Sequence, residues 1–336
     1  MTIIDATTYR QPRQEFWADR TVTVAEVRRM IEQLDPVEDD AEITHLSLEV
    51  RVPAILGHAA YASGTARGMS HPAEAAVGYR KGRGQQLHDP IGRDRSTLTY
   101  FGLFMREGHR SASVQAILDR VQQIHHDVRG VTNHTQLHVL ALLILEPLRV
   151  VTDLGAPDFF SEKENLARFH FWRGVGLGMG LTGVWETYEE VGTWLEDFET
   201  KYATPTEAAH QVYRGQIRGF AMWFPGPLRN RIARSVLTAV LSERTREIVA
   251  AGPVDIKGRL AAQALLRSVV LTERVRRVNL STTWVSQFSP DGEHPDIGAL
   301  GYQHDRTTDA RYLKVGAPED GYRYTVKDGL TSAKGA

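Results

Sequence analysis

The chain has 336 residues, enough to bury a large core in a single helical domain, and its 40 Lys and Arg nearly balance its 41 Asp and Glu. Nucleic acid is not expected as a partner, because no net field attracts a polyanion. The sequence contains no Cys, which excludes disulfides, thiolate nucleophiles and thiolate metal ligands. Any metal must be held by His or carboxylates, or by a cofactor that needs no thiolate.

The N-terminal residues carry charges every few positions and lack both an apolar core and a small-residue cleavage site. They do not resemble a secretion signal. The most apolar run, Val139 to Leu145, is far shorter than the roughly 20 residues that span a bilayer. We therefore expect a cytoplasmic protein without stable membrane insertion.

The first half of the chain predicts helices after an irregular start. Residues 1–22 show neither helical nor strand periodicity and are predicted to form an N-terminal arm. Thr23 is a candidate N-cap for the first helix, which Pro36 ends. Residues 46–78 alternate small and apolar types, as in helices packed closely on each other or on a flat ligand. A helix from about Thr97 should stop at Gly108.

The second half continues in the same way. A helix from Ser111 or Ser113 should end near Gly130, and further helices are predicted at 134–154, 162–180, 187–201, 205–222, 228–250 and 257–279. Residues 281–336 are rich in Gly, Pro and Asp and predict an irregular, wrapping extension with a disordered tip. The predicted fold is an all-α, single-domain multi-helix bundle over residues 23–280.

His125 lies inside an apolar helical stripe, seven residues after Leu118 and four after Val121, whereas its neighbour His126 points about 100° away. A ring in such a stripe must satisfy both nitrogens. It could coordinate iron through one nitrogen and hydrogen-bond through the other, or it could be a core histidine bonded to backbone carbonyls. The helix alone leaves both interpretations open.

A second group of candidate site residues lies before His125 in the sequence. Arg93 and Thr97 are one helical turn apart and share a face with Tyr100 and Phe101, which could form one wall of a cofactor site. A guanidinium pairs with a carboxylate arm, and aromatic rings cover a flat macrocycle. In isolation, an Arg that caps a helix or pairs with a neighbouring Asp explains the pattern equally well.

Three short motifs follow one another along the chain. They are Met69 to Gly78 (MSHPAEAAVG), Arg93 to Thr97 (RDRST) followed by Tyr100, and Ile124 to Gly130 (IHHDVRG). This set resembles the oxygenase family that contains the fungal mpaB proteins and the catalytic domain of rubber oxygenase, the latex-clearing protein. Members carry an H-P-x-x-A-x-G-V-like segment, an R-x-x-x-T step and an H-x-x-V-x-G helix end. The resemblance covers roughly residues 45–270.

The resemblance implies an all-helical fold around a non-covalent b-type haem. It implies His125 as the proximal iron ligand, with Arg93 and Thr97 near the haem. His71, in the H-P segment, would either line the distal side or cap a helix. The implied activity is a haem-dependent oxygenase that uses O2 on an apolar or unsaturated small molecule, isoprenoid-like or aromatic.

The sequence also departs from the family. Rubber oxygenases have a distal Lys immediately before the Thr, where this chain has Ser96, so the sixth iron position would be open or hold water. The signal of the exported members and the membrane anchor of the mpaB proteins are both missing from the start of this sequence. These departures put in doubt both polymer cleavage outside the cell and cleavage of membrane lipid.

Two other functions compete with the oxygenase. A cluster of imidazoles and one carboxylate could hold a non-haem metal, as in helical phosphohydrolases, and consists of His125, His126, Asp127, His134 and His138. The other alternative is a haem or lipid carrier without turnover. The arginines that recur between 229 and 246 have apolar residues opposite and predict a solvated helix face.

Overall fold

The structure, a computed structural model, describes residues 10–128 and 130–301 and the backbone of 323–327 and 330–334, but not the Asp127 side chain. These residues form fifteen α-helices and four short strands. The helices are α1 Val24–Glu32, α2 Asp40–His45, α3 Ala54–Gly68, α4 Pro72–Tyr79, α5 Gln85–His88, α6 Pro90–Glu107, α7 Gln115–Asp127, α8 Asn133–Asp153, α9 Glu162–Gly178, α10 Tyr188–Tyr202, α11 Glu207–Phe220, α12 Arg229–Val240, α13 Glu243–Ile248, α14 Ile256–Leu271 and α15 Trp284–Phe288. The strands are β1 Thr21–Thr23, β2 Arg277–Asn279, β3 Arg323–Lys327 and β4 Leu330–Lys334. The predicted all-α class is confirmed.

Local capping sets several helix ends where the sequence predicts them. At the start of α1, the Thr23 hydroxyl accepts from the Glu26 backbone N–H, and the Glu26 carboxylate accepts from the Thr23 N–H at 2.7 Å. This reciprocal pair satisfies two N–H groups that have no partner within the helix. At its C-terminal end, α6 stops at Gly108, whose backbone φ of +71° is a conformation that glycine adopts readily.

Other boundaries differ from the prediction. Helix α6 begins at Pro90 rather than near Thr97, because Pro90 occupies the first turn and the Asp89 side chain accepts from the Gly92 N–H at 3.0 Å. The predicted helix 228–250 is two helices, α12 and α13, since Ser242 caps a new start by accepting from Thr245 N–H. The predicted helix 257–279 ends at Leu271, and its last residues form β2.

Helix α8 lies at the centre of the bundle, packed against α3, α9 and α10. By length and composition alone it is one helix, among those described, that could cross a membrane, and 56% of its most apolar window is buried. It also carries the buried polar residues His138 and Glu146. A largely buried helix of this kind passes the same test when it is the core helix of a globular bundle.

The described segments near the two ends of the chain form regular structure. In the predicted N-terminal arm, residues Gln14–Trp17 form a 3-10 turn, and β1 pairs antiparallel with β2. The predicted irregular extension contains α15, and its strands β3 and β4 form an antiparallel pair. The rest of the predicted arm, residues 1–9, and most of the predicted tip, including 302–322, lie outside the described residues.

Candidate functional site

An apolar cavity of about 190 Å³ lies between α3, α6 and α8. Other parts of its wall come from α4, α9, α14 and α15 through Glu74, Trp172, Leu266 and Trp284. Val139, which is 43% exposed, also lines it, so the cavity reaches the surface at the start of α8. A concave apolar site with a few polar groups at its edge is the usual form of a small-molecule or cofactor site.

Three glycines of α3 line the cavity and leave part of its wall without side chains. Gly57, Gly64 and Gly68 all line it, and a Cβ at Gly68 would lie 2.9 Å from Oε2 of Glu74. At Gly64 the nearest atom to such a Cβ would be 3.6 Å away, an ordinary contact. The alternation of small and apolar residues between 46 and 78 therefore corresponds, on α3, to a wall that faces the cavity.

The polar edge of the cavity is formed by one face of α6. Arg93, Thr97 and Phe101 line it, and the Thr97 hydroxyl donates to the Arg93 carbonyl oxygen at 3.1 Å. Tyr61 of α3 lies opposite, with its hydroxyl 3.4 Å from Oδ1 of Asp94. Burial raises the pKa of Tyr61, and the nearby positive charge of Arg93 opposes that shift. The phenol is therefore a neutral donor at this edge.

The two acids closest to Arg93 in sequence are engaged with other groups. Asp89 caps α6, and the buried Asp94 accepts from His58 and Gln86, each at 3.2 Å. Within the described part of the chain, the half-buried guanidinium of Arg93 makes no ion pair. The alternative interpretation, in which Arg93 pairs with a neighbouring Asp, is therefore not realised.

His125 lies in the last turn of α7 and is half-buried. Its Nδ1 is 2.9 Å from Oε1 of Gln136 on α8. An amide oxygen can only accept, so Nδ1 carries the proton and, in the neutral ring, Nε2 carries the lone pair. Gln136 is one helical turn before Val139 at the cavity opening, but His125 is not among the described residues that line the cavity.

Two other predicted site residues lie apart from the cavity lining. The Tyr100 hydroxyl donates to the carbonyl oxygens of Leu300 at 3.0 Å and Ile297 at 3.4 Å, so it anchors the C-terminal segment. His71 caps α4, with Nδ1 accepting from the Ala73 N–H at 3.3 Å, and burial lowers the pKa of His71 to about 3. Of the two interpretations of His71, the structure shows the helix cap.

A buried ionic network begins at the cavity wall and passes behind it. Glu74, which lines the cavity, is 2.7 Å from Nδ1 of His138, whose Nε2 is 3.4 Å from Glu199. Arg67 holds Glu199 through two contacts of 2.6 and 3.0 Å. Burial opposes the charge on His138, but Glu74 and Glu199 outweigh it and raise the pKa of His138 to about 9.

Glu74 itself has one oxygen, Oε2, that is buried and makes no hydrogen bond in the structure. Burial raises the pKa of Glu74, with His138 acting in the opposite direction. Burial thus favours the neutral form of this carboxyl, whereas the adjacent His138 favours its charged form.

The alternative metal cluster is not assembled in the described part of the chain. No group of three or more described His, Asp or Glu side chains could hold a metal ion. His126 and His134 are exposed, whereas His138 is fully buried between two glutamates. The Asp127 side chain, the fifth member, lies outside the described residues.

Comparison with protein families identifies the chain. Residues 50–271, roughly two thirds of it, match the family model described as ER-bound oxygenase mpaB/B'/Rubber oxygenase, catalytic domain. The chain belongs to this family. The resemblance drawn from the three motifs is thereby confirmed, and so is an oxygenase domain of the oxidoreductase class. A comparison with curated protein sequences finds no match.

Several residues that line the cavity in this mpaB/rubber oxygenase protein were not predicted from the sequence. Tyr61, Glu74 and Trp284 line the cavity from three different elements, and Trp284 lies beyond the matched region. The glycines of α3 indicate that this helix packs closely on another helix or on a ligand. That pattern could have predicted Tyr61, which lies between Gly57 and Gly64, as a residue that lines the cavity. Glu74 lies within the quoted MSHPAEAAVG motif but was not singled out.

Proposed function

We propose that this protein is a haem b-dependent oxygenase that acts with O2 on an apolar or unsaturated small molecule. One observation carries the proposal: Arg93, which makes no ion pair with the described residues, lines an apolar cavity, and the Nδ1 of His125 is hydrogen-bonded to Gln136, one helical turn before the cavity residue Val139. Membership of an oxygenase family supports the reaction class.

The residues fit a haem in three respects. The ring of His125 has the tautomer that a metal ligand needs, because Gln136 accepts from Nδ1 and the lone pair lies on Nε2. Arg93 is a cation without an acid partner among the described residues, as a propionate would require. Gly57, Gly64 and Gly68 line the cavity without side chains, so a planar macrocycle could approach the backbone of α3 there.

When bound, a haem with a neutral imidazole ligand would supply iron chemistry closer to that of a globin or peroxidase than to that of a thiolate-ligated hydroxylase. Attack on an alkene or an electron-rich ring suits such a centre better than hydroxylation of an unactivated C–H bond. The residues of the protein bind the substrate, orient it and exclude water from the cavity.

The walls of the cavity define what its own residues contribute. Phe101, Trp172 and Leu142 give an apolar substrate contact area and keep water out. Tyr61 can donate a hydrogen bond to an oxygen atom that gains charge, since burial keeps the phenol protonated. Glu74, hydrogen-bonded to His138, adds a carboxyl group to the lining.

The proposal is tested with protein purified from haem-supplemented cells. We expect a coloured protein with a Soret band and stoichiometric haem, and O2 consumption when isoprenoid-like alkenes or electron-rich aromatics are added after reduction. A colourless protein that carries Mn, Zn or non-haem iron would overturn it in favour of the phosphohydrolase alternative. Haem without any O2 consumption would overturn it in favour of a carrier.

A further inference from the structure

Helix α14 is apolar on two opposite faces. Its inner face, which includes Leu266 and Val269, is buried against the bundle. On its outer face Ile256 is 73%, Leu260 60% and Leu271 82% exposed. These positions follow helical spacing over 15 residues, a stripe about 22 Å long. A helix that is apolar on opposite faces is normally buried on both, so the exposed apolar face of α14 indicates a partner that covers it.

The exposed stripe continues onto the neighbouring helix. Leu228 is 60% and Ile232 40% exposed at the start of α12, and Val275, 73% exposed, follows α14. The two helices touch, because a Cβ at Gly258 would lie 2.3 Å from the carbonyl oxygen of Ser235. The surface, called here the α12–α14 face, comprises Leu228, Ile232, Ile256, Leu260, Leu271 and Val275. Large apolar patches of this kind mark binding surfaces.

The same region is strongly basic in a nearly neutral protein. Residues 228–277 contain eleven Lys and Arg but only four Asp and Glu. One of those acids, Glu273, is already paired with Arg28 and Arg51. Arg229, Arg231, Arg267 and Arg274 make no ion pair with the described residues. Arg267 lies within the apolar stripe itself, eleven residues after Ile256.

We propose that the α12–α14 face docks on an anionic lipid surface. Apolar side chains ringed by cations match a bilayer interface, in which the apolar groups enter the headgroup boundary and the cations meet lipid phosphates. A second copy of this chain matches less well, because a two-fold contact would bring two basic stripes together. Arg229 and Arg231, on the helix face predicted to be solvated, would then meet lipid phosphates, whereas Arg244 and Arg246 of that set donate to the carbonyl oxygens of Glu199 and Leu241.

Vesicle co-sedimentation tests this proposal with the full-length protein. We expect binding to vesicles of phosphatidylcholine and phosphatidylglycerol, little binding to phosphatidylcholine alone, and release at high salt. Leu260→Glu or Leu271→Glu should lower the affinity by roughly tenfold or more, because each removes a leucine from the buried contact. Arg267→Glu should weaken binding only to the anionic vesicles.

Leu177→Glu is the matched control, since Leu177 is a 43% exposed leucine on α9 outside this face, and it should bind like wild type. Equal binding to both vesicle types, or no binding to either, would overturn the proposal. So would light scattering that shows a dimer in wild type and a monomer in Leu271→Glu, because the occupant would then be a second copy. Far-UV circular dichroism shows whether each variant keeps its helices.

Discussion

Nδ1 of His125 on α7 lies 2.9 Å from Oε1 of Gln136 on α8, so a neighbouring helix fixes which ring nitrogen carries the proton. The two residues are eleven positions apart, with the connection between the helices in between. An interaction of this kind orients a metal-binding imidazole and raises its basicity. It gives the half-buried ring a defined partner on one side.

Gln136→Leu is therefore expected to weaken haem binding by about tenfold or more, because the ring loses the acceptor that sets its orientation and tautomer. Gln136→Glu keeps an acceptor at this position and should bind haem nearly as well as wild type. Titration of the apoprotein with haem, followed at the Soret band, measures both. Equal haem affinities of the Gln136→Leu and Gln136→Glu variants would contradict the role of Gln136 in orienting His125.

Arg93→Gln should also weaken haem binding, by about tenfold, since a charge-assisted pair with a propionate is lost. The apoprotein should keep its melting temperature, because Arg93 makes no ion pair among the described residues. Arg95→Gln, two positions along the same helix and outside the cavity lining, is the control and should leave the affinity unchanged. A loss of stability in apo Arg93→Gln without any change in haem affinity would point to a structural role.

Gly64→Leu should fill the cavity and exclude the cofactor, because the glycine lines the wall on α3. Gly64→Ala is the matched control, since its Cβ would make only an ordinary contact at 3.6 Å. We expect haem content to fall sharply in the Leu variant and to stay near wild type in the Ala variant. Full haem loading of a folded Leu variant would place the cofactor elsewhere.

The Glu74–His138–Glu199 network predicts loss of stability at alkaline pH. The pKa of His138 is raised from 6.5 to about 9, so the folded state holds the proton more tightly than the unfolded state. The contribution, up to about 3 kcal/mol, is complete below the unfolded pKa and is lost as pH rises through about 9.

Urea unfolding of wild type and His138→Gln across this range measures the effect. Wild type should lose stability between neutral pH and the folded pKa of His138, and the variant should show a shallower slope. Parallel slopes in the two proteins would show that other groups cause the loss.

Much of the fold was predictable, because its signals are local. Thr23 with Glu26, and Gly108, set helix ends through contacts within one turn, and such ends were predicted correctly. The start of α6 and the break at Ser242 were missed. An apolar pattern that continues across Ser242 hid that boundary, whereas the residues between Pro90 and Thr97 are mostly polar and show no apolar helical stripe.

The candidate site was less predictable, because it depends on packing between distant elements. Tyr100 and Phe101 are adjacent in sequence, yet Phe101 lines the cavity and Tyr100 anchors the segment 297–301. Helical periodicity places a residue on a broad face but does not tell which neighbour covers it. Tyr61 and Trp284 are more than 200 residues apart in the sequence, and only the tertiary structure brings them to one cavity.

The absorption spectrum of His125→Ala, prepared from haem-supplemented cells beside wild type and His126→Ala, tests the central claim most directly. His126 is the exposed neighbour on the same helix turn and serves as the control. We predict that wild type and His126→Ala carry haem with the same Soret band, and that folded His125→Ala loses the haem or shows a shifted band. Full haem content with an unchanged Soret band in His125→Ala would contradict ligation by this histidine.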